Sequence, residues 1–171
     1  MVKIAICDDE TEFLDLLSDS LDSWCRAHQL TLQLYRFTNG DELISAHRAY
    51  GMDLILLDMI MPLLSGMDTA RELRQHDPHV PIIFLTAMID DGNMTMLNQI
   101  TWDSNTYYLN KVFDKKVLVQ KITEVVNMHR TCQLDRVYRD NLESELKLAG
   151  DLQRILLPDW CILDDKVLVS S

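Results

Sequence analysis

Residues 53–62 read DLILLDMIMP. Four apolar residues, Leu54 to Leu57, run straight into Asp58, and Pro62 follows four positions later. A short apolar run bounded by polar residues fits a strand buried on both of its faces. A carboxylate at the end of such a strand is costly to bury unless something compensates it. The stretch therefore sets two questions: what covers the strand, and what pairs with Asp58.

Similar runs recur on either side. Val2 to Cys7 is apolar and ends at Asp8, which fits a second doubly buried strand. Phe13, Leu14, Leu17, Leu21 and Trp24 form a helical stripe within residues 11–28. Leu30 to Phe37 alternates apolar and polar residues as a strand does, Asn39-Gly40 breaks it, and Asp41 opens a short helix through about Ala49. After the 53–57 strand come a helix over 66–76 that ends before Pro78, a strand over 80–85, a helix near 92–100 and a short strand over 106–109. A long helical pattern then starts near Asp114 and continues to about Leu157. Strands that alternate with helices need right-handed crossovers, which give a parallel sheet covered on both faces. The expected fold is an α/β, flavodoxin-like (βα)5 doubly wound parallel sheet of order 2-1-3-4-5, with the last helix extended well beyond it.

The bulk properties narrow the function. The chain has 171 residues and a net charge of −11, which repels a phosphate backbone and argues against nucleic acid as a direct partner. No apolar run reaches the roughly 18 residues of a membrane span, and the N-terminus meets acid too early for a secretory signal. The cysteines, Cys7, Cys25, Cys132 and Cys161, have no paired metal spacing, so a reduced, cytoplasmic setting is expected. The five histidines also lack metal spacing and are expected at the surface or its boundary.

In open α/β sheets, ligands bind beyond the carboxyl ends of the strands, beside the switch point. The first strand ends in Asp8-Asp9-Glu10, the third in Asp58 and the fourth in Thr86-Ala87, and Lys111 follows the fifth. Clustered carboxylates repel one another unless a cation compensates. Oxygen ligands with an open face suit Mg2+. A metal, an acceptor carboxylate, a hydroxyl and an ammonium together describe phosphoryl transfer onto an aspartate.

The segments CDDE (7–10), LLDMIMP (56–62), FLTA (84–87) and YYLNK (107–111), in this order, resemble the receiver domain of two-component response regulators, the CheY-like fold. The resemblance covers residues 1–128. It implies that Asp58 accepts phosphate from a sensor histidine kinase. It also implies Mg2+ ligation by Asp9, Asp58 and the Ile60 carbonyl, with Asp8 acting through water. Thr86 and Lys111 would bond the phosphoryl oxygens, and Tyr108 matches the aromatic switch that turns inward when Thr86 moves. The chain departs from the family where Val112 follows Lys111 in place of the usual proline, so that peptide bond is expected to be trans or strained. The polar stretches DDGNMTM and TWDSN between Thr86 and Lys111 suggest a mobile switch face. Ile60 and Met88 stand at positions that tune dephosphorylation in the family; neither side chain can orient a water, so a long-lived phosphoryl group is expected.

Beyond residue 128 the apolar positions are Leu134, Tyr138, Leu142, Leu146, Ala149, Leu152 and Leu156. Their mean step of about 3.67 residues keeps them on one face of a nearly straight helix, opposite a charged face. Such a helix wants a partner, and a homodimeric coiled coil supplies one. Its end, LKLAGDLQRILLPDW (146–160), resembles the LxxAxxxQxxLLP segment leading into PPM-type serine/threonine phosphatase domains, with Ala149, Gln153, Leu156, Leu157 and Pro158 carrying the match. The expected organisation is a receiver over 1–128, a coiled-coil linker over 129–157 and, over 158–171, the start of an effector domain whose metal-binding motifs do not occur here. The chain is thus expected to be a regulatory phospho-acceptor and not itself an enzyme. Two alternatives stay open: the receiver of a DNA-binding regulator, since IAICDDE and GMDTARELR also resemble receivers joined to LytTR-type domains, or a stand-alone adaptor acting through its helix.

Overall fold

The computed structural model describes residues 1–29, 31–87 and 105–156, with the side chains of 151 and 153–156 outside that description. The expected helix near 92–100, Leu30, Met88, the DDGNMTM stretch, most of TWDSN, the Leu156 and Gln153 side chains and everything from 157 onward lie outside the described residues.

Five strands, β1 (Val2–Cys7), β2 (Leu32–Phe37), β3 (Leu54–Asp58), β4 (Ile82–Thr86) and β5 (Thr106–Asn110), form one parallel sheet in the order β2-β1-β3-β4-β5. This is the order expected from the sequence. The chain moves outward from β1 to β2, then crosses back to β3, so the crevice opens between the carboxyl ends of β1 and β3. Every residue of β3 and β4 is buried, which is why both read as unbroken apolar runs.

Alternation along the strands splits the core in two. Ile4, Ile6, Leu54, Leu56, Ile83 and Leu85 face helix α1 (Thr11–Ala27) and the first turns of the last helix, α4 (Lys115–Leu156). Ala5, Cys7, Ile55, Leu57, Ile82 and Phe84 face α2 (Gly40–Tyr50) and α3 (Gly66–His76). Leu118, Ile122, Val125 and Val126 bury the base of α4 at helical spacing, and the Trp24 indole N–H donates to Thr123 Oγ1 at 2.8 Å, joining α1 to α4.

Local chemistry sets the boundaries. Asn39 caps α2 by accepting from the Glu42 N–H at 2.9 Å, and Ser65 caps α3 through Asp68 N–H at 3.2 Å. Gly51 closes α2 at φ +63°, a conformation that costs glycine little. The fourth strand begins at Ile82, not Val80, because Pro81 has no N–H for the ladder. One expectation fails. His47 is not a surface or boundary residue but only 5% exposed. Its Nδ1 accepts the Met52 N–H at 3.2 Å and its Nε2 lies 3.4 Å from Asp77, so it pins the end of α2 to the end of α3.

Contacts divide the chain after His129. In the second unit, α4 is helical through Leu156, and Leu134, Tyr138, Leu142, Leu146, Ala149 and Leu152 are all exposed. Val137 and Leu148 are exposed too and were not part of the expected stripe.

Candidate functional site

The strand ends meet where the topology says they should. Cys7 pairs with Leu57 across β1 and β3, so Asp8 and Asp58 emerge side by side. Asp8 is fully buried and Asp58 is 4% exposed, while Asp9 is open to solvent. One carboxylate oxygen from each of these three residues lies within 4.8 Å of the others.

Lys111 closes the cluster. Its Nζ stands 2.8 Å from Asp8 Oδ2, 3.2 Å from Asp58 Oδ2 and 3.8 Å from Glu10 Oε1. Its own N–H donates to the Thr86 carbonyl at 2.7 Å, continuing the β4–β5 ladder one residue past the strand. The following residue is held by a local bond, from the Val112 N–H to Asn110 Oδ1 at 2.8 Å, and the described residues contain no cis peptide, in line with the trans option expected for the bond before Val112.

The electrostatics follow from burial. Desolvation pushes the Asp58 carboxyl up and neighbouring Asp8 adds to it; Lys111 and the Ile60 N–H, which donates to the carboxylate, pull it back. Burial acts to lower the Lys111 ammonium, but Asp8 and Asp58 together outweigh that and hold it up. The Cys7 thiol is pushed up to about 12, first by burial and then by Asp8 and Asp58, so it behaves as an inert core group against Met61 Sδ at 3.6 Å.

Three carboxylates against one ammonium leave a negative, oxygen-only pocket, and that donor set fits a small hard divalent cation. The Ile60 side chain is 76% exposed on the loop beyond Asp58. Thr86 is buried at the end of β4, one residue past Leu85, which pairs with Asp58. Tyr108 sits one strand further out; the residue is half-buried, its hydroxyl is buried and its ring stacks on Phe84 at 5.6 Å.

Comparison with known proteins gives the same answer from another direction. A family model described as "Response regulator receiver domain" matches residues 4–123. The chain belongs to the response regulator receiver family. Among curated relatives, this receiver is 27% identical over 126 residues to the sensory transduction protein BceR of Halalkalibacterium halodurans, covering 74% of the chain and 50% of BceR. It is 24% identical over 158 residues to PhoP of Bacillus subtilis, the alkaline phosphatase synthesis transcriptional regulatory protein, covering 92% of the chain and 61% of PhoP. The chain thus spans one half to three fifths of these relatives. Among solved structures it superposes, with a TM-score of 0.62 and 23% identity, on the receiver domain of a Pseudomonas aeruginosa sensor histidine kinase with a magnesium ion in its active-site cleft; 74% of the chain and 98% of that domain are covered.

Three neighbours of the receiver's site escaped the sequence. Phe13, from the first turn of α1, turns its ring face to Lys111 Nζ at 4.9 Å. Phe113 meets Phe13 edge to face at 5.9 Å. Gly66 opens α3 against the Asp58 backbone. Phe13 reads as one more member of the α1 stripe, and nothing in a sequence says that a glycine folds back against the strand end eight residues before it.

Proposed function

We propose that this receiver takes a phosphoryl group from the phosphohistidine of a sensor histidine kinase onto Asp58. The observation that carries the reading is the Asp58 carboxylate, 4% exposed, with Lys111 Nζ at 3.2 Å and two further acids beside it. An Asp58 oxygen attacks phosphorus, the new O–P bond forms, and the P–N bond breaks with the electron pair returning to the imidazole. Asp9, Asp58 and the Ile60 carbonyl would hold Mg2+, with Asp8 acting through water, and the bound ion would neutralise charge on the phosphoryl oxygens. Lys111 supplies the fixed ammonium for the same oxygens, and the Thr86 hydroxyl supplies a donor from β4. Tyr108 reports the position of Thr86 through the switch face. The exposed Ile60 side chain carries no group that could orient an attacking water, which supports a long-lived phosphoryl group.

The output runs through α4 of a homodimer, in the cytoplasm, with no membrane or nucleic-acid contact by this segment. The exposed Leu134, Tyr138, Leu142, Leu146, Ala149, Leu152 and the Leu156 position supply the helix face, and Val137 and Leu148 widen it. Val137 and Leu148, like Tyr138 and Ala149, stand 11 residues apart, a spacing that suits a slightly right-handed supercoil. Among the described residues no helix is long and apolar enough to cross a membrane. The effector is proposed to be a PPM-type serine/threonine phosphatase, on the LxxAxxxQxxLLP resemblance. A DNA-binding output is the second reading, favoured by the similarity to PhoP over 158 residues.

Incubation with acetyl phosphate and Mg2+ tests the site: one phosphoryl group should be added, and Asp58→Asn should remove it. Labelling of the variant at the wild-type level overturns the assignment. Retention of duplex DNA by the phosphorylated chain, lost with added salt, would favour the second reading.

A further inference from the structure

The proposed chemistry of the site asks a flexible lysine to hold one position. A lysine stem has four rotatable bonds and loses considerable freedom when its end is fixed. Here the ammonium has three acidic neighbours, Asp8, Asp58 and Glu10, at 2.8, 3.2 and 3.8 Å. Charge alone does not choose among them. As soon as Asp58 carries a phosphoryl group, the balance of attraction around Nζ changes, and an unsupported lysine would re-settle.

The Phe13 ring also lies against the ammonium, with its centroid 4.9 Å from Nζ. The negative face of an aromatic quadrupole attracts a cation at this distance, and the ring carries no charge that could compete for a proton or a metal. Phe13 is itself braced: Phe113 packs its ring edge to face at 5.9 Å and 63°, and both lie against the core cluster shared with α1 and α4. Lys111 is only 12% exposed, so the contact is partly desolvated and not a surface encounter. The backbone contributes the other half of the restraint, through Lys111 N–H to the Thr86 carbonyl at 2.7 Å.

We propose that Phe13 is a positioning residue for Lys111: its ring face, braced by Phe113, fixes the ammonium beside Asp58 by a cation–π contact while the charges around it change. The proposal rests on the reading of Lys111 as the phosphoryl-binding lysine. Phe13 also packs against the core, so the test must separate a π face from apolar bulk. Leucine at position 13 keeps most of the bulk and removes the face; tyrosine keeps the face.

The rate of labelling by acetyl phosphate with Mg2+ is measured for wild type, Phe13→Leu and Phe13→Tyr, each alone and with Lys111→Met. Phe13→Leu should slow labelling about three- to tenfold, with a thermal midpoint close to wild type, and Phe13→Tyr should restore the rate. In the Lys111→Met background, Phe13→Leu should have no further effect, because the cycle isolates the pair. A readout that needs neither labelling nor a variant is the NMR shift of the Lys111 Cε protons, which a ring face displaces upfield. Equal rates for Phe13→Leu and wild type, an undiminished effect of Phe13→Leu without Lys111, or unshifted Cε protons overturns the proposal. Absence of any Asp58-dependent labelling in the wild type overturns the phospho-acceptor reading instead, and the Cε shift would still report on Phe13.

Discussion

Gly66→Ala is the smallest change that should reach the acceptor from behind. Gly66 is the first residue of α3, capped by Ser65, and its N–H donates to the Met59 carbonyl at 3.2 Å. A Cβ built there would lie 1.9 Å from the Asp58 carbonyl oxygen, 2.9 Å from the Asp58 carbonyl carbon and 3.0 Å from Met59 Cα. Ordinary contact begins at 3.4 Å, so the shortfall to the oxygen is 3.4 − 1.9 = 1.5 Å. All three atoms are backbone, so no rotamer change relieves the clash. Either α3 lifts, straining the packing of buried Ala70 and Leu73, or the end of β3 shifts and takes Asp58 with it. Overpacking of this kind costs about 1–3 kcal/mol. A displacement of about 1 Å in a reacting group costs on the order of a hundredfold in rate. Urea unfolding and acetyl phosphate labelling measure the two effects on the same sample. A loss of stability in that range together with labelling slowed tenfold or more is expected. Wild-type stability and wild-type rate in Gly66→Ala would refute the view that close contact between α3 and the strand end sets the acceptor's position.

Other perturbations reach different parts of the molecule. His47 hydrogen-bonds Asp77, and this bond first, with the His79 and Val80 N–H groups in support, lowers the Asp77 carboxyl to about 2 from an ordinary 3.8. A depressed carboxyl stabilises the fold above its unfolded value and loses that contribution as pH falls from about 4 through 2. The shift corresponds to at most about 2.4 kcal/mol, and because Asp77 is 39% exposed, solvent screening reduces it to about 1 kcal/mol. Asp77→Asn should therefore lower stability at pH 7 and flatten the acid limb of the stability–pH curve; an unchanged limb contradicts the pairing. Trp24→Phe removes the donor to Thr123 and a little buried volume, and urea unfolding should show a loss of about 1–2 kcal/mol. Tyr138→Glu with Leu142→Glu places charge on the exposed α4 face; light scattering should give a dimer mass for wild type and a monomer mass for the variant, and equal masses would discount that face as the interface. Lys111→Met removes a neighbour that holds the Asp58 carboxyl down, so carboxyl NMR should show it titrating at higher pH than in wild type.

The order of residues along the chain was enough to give the sheet and to say which side chains stand at its carboxyl edge. β3 and β4 are apolar at every position but the last because both faces are covered, and a chain pattern cannot hide that. Asp8, Asp9, Asp58, Thr86 and Lys111 could be named because each sits at a strand end, and parallel strands bring all their ends to one edge. The tail was legible as a helix for the same reason of periodicity, and α4 is helical through Leu156. Folding alone settled the contacts that no linear pattern encodes. His47 looked like a surface histidine because its partners, the Met52 N–H and Asp77, come from the chain's return and not from its own helix face. Gly66 gains its meaning only when α3 folds back against the end of β3. Phe13 satisfies the α1 stripe either way, and only the position of Lys111 at 4.9 Å turns one of its faces toward the chemistry. Periodicity records which face of an element is buried; it carries no record of which buried face meets which.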